Sequence, residues 1–450
     1  MKKLLALLLV VLMTLGLMLG CAKTQTEETA AMRDESTEAP AVVEPSSTTT
    51  EAELVTITFA EHVADIENQE AHLAKIIDAF EAANPNITVE ITGREVSEHN
   101  TQMALLAGEN NLPDILWLEQ ASAQEFAKNG YLYDLSAALD QYGINDSLLP
   151  GLVHCCTVDS KDYGMPSEIM MVGFFYNKAI FEQNGLTVPT TYEEFMNVVK
   201  TLTDNGVTPI AIGSKSNFSV WAFETMLARY GFFDKLTGLN SGDISWVNDD
   251  FVHYFEKVAA MREAGAFSKD AANMDYFQAK EVFLAGNAAM FNTGAWDIGD
   301  FERSAIASQI GFFWGPTFSD STYNQKVAIK AAGGVYCVSQ KAAEDPAVLD
   351  AVMKFWSFYY GPEGTRIIAE ETAGLPCSSY SGTIDATQHP VLATMITALN
   401  DDWQAVTEPF NSLTTNVAYG FFDATQGVIT GVYSPEEAAA YVEGLQALER

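Results

Sequence analysis

Positive charge is scarce in this chain. Twenty-four lysines and arginines face 60 aspartates and glutamates, a formal net charge of −36 over 450 residues. So acidic a surface repels phosphate backbones, which excludes nucleic acid as a partner. It also opposes charge-driven binding to anionic lipid, while favouring solubility. Long apolar runs are missing after Leu19, and a spanning helix needs ~20 such residues, so the body is expected to be soluble. Cysteine is rare. Cys21, Cys155, Cys156, Cys337 and Cys377 include no C-x-x-C, and adjacent cysteines such as Cys155 and Cys156 bridge each other only with strain. They read as small buried apolar residues, with a Cys337–Cys377 pairing left open. The histidines (His62, His72, His99, His154, His253 and His389) lack metal-ligand spacing. No G-x-S-x-G, S-x-x-K, H-E-x-x-H, Walker A or G-x-G-x-x-G occurs. Neither a metal nor a cofactor nor catalysis is expected.

What is present begins at the first residue. Met1-Lys2-Lys3, an uncharged run from Leu4 to Leu19, and Gly20 before Cys21 are the parts of a secretory signal. A cysteine directly after the small residue resembles the lipobox of bacterial lipoproteins. That resemblance implies a leader over residues 1–20, lipidation of Cys21, and tethering to the extracytoplasmic face of the cell membrane. A plain signal peptide is the alternative. Residues 21–53 are rich in Thr, Glu, Ala, Ser and Pro, too polar to offset the entropy of ordering, and read as a disordered acidic stalk.

Order is expected from Leu54. Residues 54–59 (LVTITF) alternate as a strand does, and Leu73, Ile76, Ile77 and Phe80 mark one helix face. Ile87–Ile91 and Asp114–Leu118 supply the next strands. Thr191 with Glu194 is a capping box ahead of a helix, and Ser434-Pro435 opens the last one. Strand–helix–strand repetition implies parallel pairing and an α/β fold. About 400 residues exceed one core, so two lobes are expected.

The chemistry lies where aromatics meet carboxylates at strand ends. Phe218 and Trp221 follow the strand Pro209–Ile212, Trp296 precedes Asp297, and Trp117 and Glu119 close the third strand. The C–H faces of a sugar rest on aromatic rings, and its hydroxyls pair with carboxylates and amides. These residues point to carbohydrate.

Three stretches carry a family resemblance. They are Gly164–Pro166 with Phe174–Leu186 and Pro189–Phe195, then Phe283–Met290 with Gly294-Ala295-Trp296, and then Gly333–Ser339. In this order they resemble the family 1 extracellular solute-binding proteins, the sugar receptors of ABC importers. The resemblance implies two α/β lobes, each a mostly parallel sheet flanked by helices, with ligand in the cleft between them. It places hinge crossings near 166–172, 312–320 and 372–377. Lobe one becomes 54–168 plus 318–373, and lobe two 172–314 plus 376–450. It implies a monomeric receptor that takes up a neutral mono- or oligosaccharide, delivers it to a membrane permease, and catalyses nothing. Its ligand residues would be Trp296, Phe218, Trp221, Glu119, Gln120, Glu61 and His62, with Gly333 and Gly334 letting backbone approach the ligand, and further contacts at Asn217, Asp297 and Glu168. A receptor for another solute such as a polyamine, and a secreted glycoside hydrolase, are the alternatives.

Overall fold

The alternating segment after Leu54 forms the first strand of a two-sheet architecture. A computed structural model describes residues 54–215 and 219–450; the expected leader, Cys21, the stalk, Asn217 and Phe218 lie outside the described residues. In chain order the strands are β1 (Val55–Glu61), β2 (Ile87–Gly93), β3 (Ile115–Leu118), β4 (Cys156–Val158) and β5 (Lys161–Pro166). Then come β6 (Ile169–Asn177), β7 (Thr208–Ala211), β8 (Ala288–Gly294), β9 (Ile310–Phe313) and β10 (Val327–Ala332), and finally β11 (Val335–Val338) and β12 (Gln404–Val406). The first sheet runs β2-β1-β3-β11-β5-β4 and the second β12-β10-β6-β8-β7, with β9 also on β6.

Both sheets are mixed rather than mostly parallel. The strand–helix–strand segments do give parallel pairs, β1 with β2 and with β3, and β7 with β8. The strands that pass from one sheet to the other run the opposite way. β11 is antiparallel to β3 and β5, and β6 is antiparallel to β8, β9 and β10.

Two crossings lie side by side. β5 continues through Ser167 and Glu168 into β6, and β10 continues through Gly333 and Gly334 into β11. Pro166 pairs with Val335 on one side and Ile169 with Ala332 on the other, so the register is unbroken from sheet to sheet. Ser167 N–H donates to the Gly334 carbonyl at 3.0 Å, and Gly333 N–H to the Glu168 carbonyl at 3.1 Å. The return crossing thus lies at 333–334 and not at 312–320, because Val327–Ala332 pairs with β6. The last crossing also comes later than 372–377. Leu149 N–H still reaches the Cys377 carbonyl at 2.9 Å, whereas Leu392 N–H, in the helix Pro390–Leu399, meets Glu302 of the second lobe at 2.8 Å.

Each sheet buries its own aromatics. Phe59, Phe80, Phe355 and Trp356 are fully enclosed in the first lobe, and Phe174, Phe195, Trp246 and Phe421 in the second. The helix Ala71–Ala83 buries the four residues its spacing marked, the capping box of Thr191 with Glu194 forms, and the cap at Ser434 is also a box, closed by Glu437. Arg229 is wholly buried with no acidic partner among the described residues; its guanidinium donates to the carbonyls of Pro316 and Trp314 at 2.7 and 3.0 Å and sits 4.7 Å from the Trp403 ring. Cys155, Cys156, Cys337 and Cys377 carry free thiols, three of them buried, so the Cys337–Cys377 pairing is not formed. Among the described residues no helix is long and apolar enough to cross a membrane.

Candidate functional site

A cleft of about 610 Å³ lies between the sheets, lined from both lobes and from the crossings themselves. It opens where parallel strands end, the usual place for ligands in α/β sheets. His62 follows β1, Trp117 and Glu119 stand at the end of β3, and Trp296 follows β8.

On the first lobe, His62 stacks on Trp117 and is held by Glu61. The buried Glu61 carboxylate accepts both the His62 backbone N–H, at 2.9 Å, and the ring Nδ1–H. Burial alone would lower the imidazole pKa, but the adjoining Glu61 charge overcomes this and raises it to about 9. Trp117 donates its indole N–H to Ser167 Oγ at 3.2 Å, and Ser167 Oγ donates to the Gly334 carbonyl at 2.8 Å. Trp117 keeps only 5% of its surface exposed, so it offers a ligand little open face.

On the second lobe, Trp221 and Trp296 are half-buried and meet edge to face, centroids 5.6 Å apart. A side chain on Gly294 would strike the Trp296 ring at 2.2 Å, which is why glycine stands two residues ahead of it. Trp296 donates to Tyr276 Oη at 2.7 Å, and Tyr276 donates in turn to Asp297. Asp297 also accepts from Thr293 Oγ1 at 2.6 Å and Lys280 Nζ at 3.0 Å. It lines the cleft, yet its oxygens are spent fixing the tryptophan that does face it.

Carboxyls crowd the remaining wall. Burial, then the Glu61 charge, pushes the Glu70 carboxyl up to about 8. Burial lifts Glu168 to about 7 against the pull of His62. Glu119 Oε1 accepts from Asn100 at 3.0 Å and from Tyr419 of the opposite lobe at 2.7 Å, while its Oε2 has no hydrogen-bond partner. Glu408 also lines the cleft and lies against Glu224; both are buried with no cation paired to them among the described residues, and burial raises both. Of the lysines and arginines here, Lys280 binds Asp297 and Asp300 and Arg303 binds Asp300, while the exposed Lys215 lines the cleft and makes no ion pair among the described residues. Among the described residues no group of His, Cys, Asp and Glu could hold a metal ion.

The structure therefore brings His62, Glu119, Glu168, Trp221, Trp296, Asp297, Gly333 and Gly334 into one cleft. Glu61 stands behind His62. Gln120 is 6% exposed and does not line the cleft; its amide donates to the carbonyls of Ala332 and Gly333 at 2.7 and 2.9 Å and so clamps the crossing. The two glycines serve neighbouring side chains. A Cβ on Gly333 would meet Glu168 at 2.8 Å, and one on Gly334 would meet Trp117 at 2.4 Å. Glu70, Tyr276, Lys280 and Glu408 were missed. Glu70 and Tyr276 stand at helix starts, Lys280 in mid-helix and Glu408 in a loop, and no periodicity or motif marks them as ligand residues.

Two α/β lobes joined by paired strands and sharing a cleft define a two-lobed, hinged fold. Residues 75–394 match the family of bacterial extracellular solute-binding proteins, and the chain belongs to that family, one of binding proteins and not of enzymes. An uncharacterized ABC transporter extracellular-binding protein of Pyrococcus horikoshii is 25% identical over 231 residues, 50% of this chain and 53% of that one. The chain thus spans about half the length of that relative. A maltodextrin-binding protein of Bacillus subtilis is 22% identical over 324 residues, covering 68% of this chain and 72% of the other. The solved structure of a chitin oligosaccharide binding protein superposes with a TM-score of 0.79 at 22% identity, covering 88% of this chain and 98% of that chain.

Proposed function

We propose that this protein captures a neutral mono- or oligosaccharide outside the cell and delivers it to the membrane permease of an ABC importer. The observation that carries the reading is the pair of half-buried indoles, Trp221 and Trp296, facing a wall of carboxyls. The rings suit the C–H faces of a sugar and the acids its hydroxyls. Glu70 and Glu168, raised to about 8 and 7, hold their protons for much of the time near neutral pH and can both donate to and accept from hydroxyls. The names of two similar proteins, one for maltodextrin and one for chitin oligosaccharide, agree with this.

The lobes close by bending at the paired crossings, and the ligand bridges them. Trp221, Trp296, Glu119, Glu168 and His62 contact it, and Glu61, Asp297 and Gln120 hold those contacts in place. The chain acts as a monomer, tethered through lipid on Cys21. A cationic solute such as a polyamine is the second reading, favoured by the number of cleft carboxyls without a basic partner.

Calorimetry of the whole chain against neutral sugars and against spermidine separates the two. Heat of binding with a sugar and none with spermidine is expected. Tight spermidine binding with no sugar response would end the saccharide reading.

A further inference from the structure

The cleft is not closed at its outer end. A second groove, about 670 Å³, adjoins it and shares lining residues with it, among them Gln69, Asp275, Phe277, Lys280, Asp300 and Arg303. Beyond the shared residues the groove passes over Leu284 and Ala305 to the surface. One wall is the helix Ile66–Gln69 of the first lobe and the other the helix Tyr276–Leu284 of the second.

Its lining repeats the pairing seen inside. Phe277 is 40% exposed, a large apolar ring left in solvent at the mouth of the site. Opposite it, Gln69 accepts from Asp65 N–H through Oε1 at 3.1 Å, which leaves its NH2 group to donate elsewhere. Its two cations, Lys280 and Arg303, are both engaged by Asp300, and Asp275 and Glu281 add further carboxylates to the rim. An apolar plate edged by an amide, carboxylates and no unpaired cation suits a neutral sugar ring, whose hydroxyls donate to such acids.

We propose that this groove is an outer saccharide subsite, so that the ligand is an oligosaccharide whose end leaves the cleft and rests a ring on Phe277 beside the Gln69 amide. The inference rests on the saccharide reading of the cleft. A monosaccharide receptor has no use for an open channel with an aromatic ring at its exit.

The test is calorimetry of the whole chain with α-1,4-glucose, β-1,4-N-acetylglucosamine and β-1,4-xylose oligomers of two to six units, beside their monosaccharides. In the series that binds, affinity should rise with length beyond the shortest member bound. Phe277→Ala should cut the affinity for the longest member by about 3- to 10-fold, the worth of one stacked ring. Ala305 is exposed and lies outside the cleft lining, so Ala305→Trp should abolish the rise with length and leave the shortest member unaffected. Affinity that is flat with length, or long-chain binding indifferent to both substitutions, would overturn the outer subsite and leave the saccharide reading intact. If no oligomer and no monosaccharide binds, the saccharide reading falls and this inference falls with it.

Discussion

His62 lies flat on Trp117, ring centroids 3.7 Å apart and planes 9° from parallel. The contact places a charged imidazole on the face of an indole, a cation–π arrangement strengthened by partial burial. Glu61 occupies Nδ1, and Nε2 has no hydrogen-bond partner among the described residues. The first lobe thus presents a ligand with a fixed cationic donor.

The charge on His62 makes stability depend on pH. Its pKa is raised to about 9 in the folded chain, so the stabilisation is complete below the ordinary histidine value and is lost as pH rises through 9. Glu70, raised to about 8, acts in the same direction, because the folded state prefers its protonated form. Urea midpoints should fall steadily from pH 6 to pH 9, and His62→Phe should flatten the upper half of that slope. A midpoint that climbs across this range would contradict the assignment.

Gly334→Ala should destabilise by about 1–3 kcal/mol, since overpacking of that order follows when a side chain has no room. The new Cβ would stand 2.4 Å from the Trp117 ring, whose N–H is tied to Ser167. Gly108, which closes the helix Val96–Gly108 and has nothing within 4 Å, is the control. Alanine there should be neutral or stabilise by up to about 1 kcal/mol. Chemical denaturation of the two variants distinguishes a packing glycine from a merely tolerated one.

Lys280→Met would leave Asp297 buried without its cation. Breaking a buried pair on one side costs about 3–5 kcal/mol. Because Asp297 also holds Tyr276, and Tyr276 holds Trp296, the near-ultraviolet circular dichroism of the tryptophans should change along with the melting temperature. A variant that melts lower with an unchanged aromatic spectrum would show that the network does not orient Trp296.

Tyr419→Phe removes a hydrogen bond that spans the cleft, from Tyr419 to Glu119 at 2.7 Å. Bonds to charged groups contribute about 1.5–3 kcal/mol. If the contact belongs to the closed state, affinity for a bound sugar should fall about tenfold or more, mostly through faster release. Stopped-flow fluorescence reads the release rate directly, and an unchanged rate would place the contact outside the closing motion.

Much of this architecture was legible in the sequence, because its signals are local. The strand at Val55, the helix through Leu73 and Phe80, and the caps at Thr191 and Ser434 need only their neighbours in the chain. Aromatics beside strand ends, together with family order, point to Trp221, Trp296 and Phe218; the first two line one cleft, and Phe218 lies outside the described residues. Pairing between distant strands was less legible. Val327–Ala332 looks the same whichever sheet it joins, and only its register with β6 decides. Gln120 illustrates the same limit: an amide beside a cleft can face ligand or backbone, and the carbonyls of Ala332 and Gly333 took it. Glu70 carried no signal, since its importance comes from being enclosed near Glu61 and Glu168.

The unbroken register through Ser167-Glu168 and Gly333-Gly334 sets a strict rule for changing this protein. A residue inserted into one crossing alone would slip that strand against its neighbour and turn every following side chain to the opposite face. Glu168 or Trp117 would then lose its place, although no residue in the cleft had been replaced. Insertions in both strands together would preserve the match, so the two connections should lengthen or shorten only in concert.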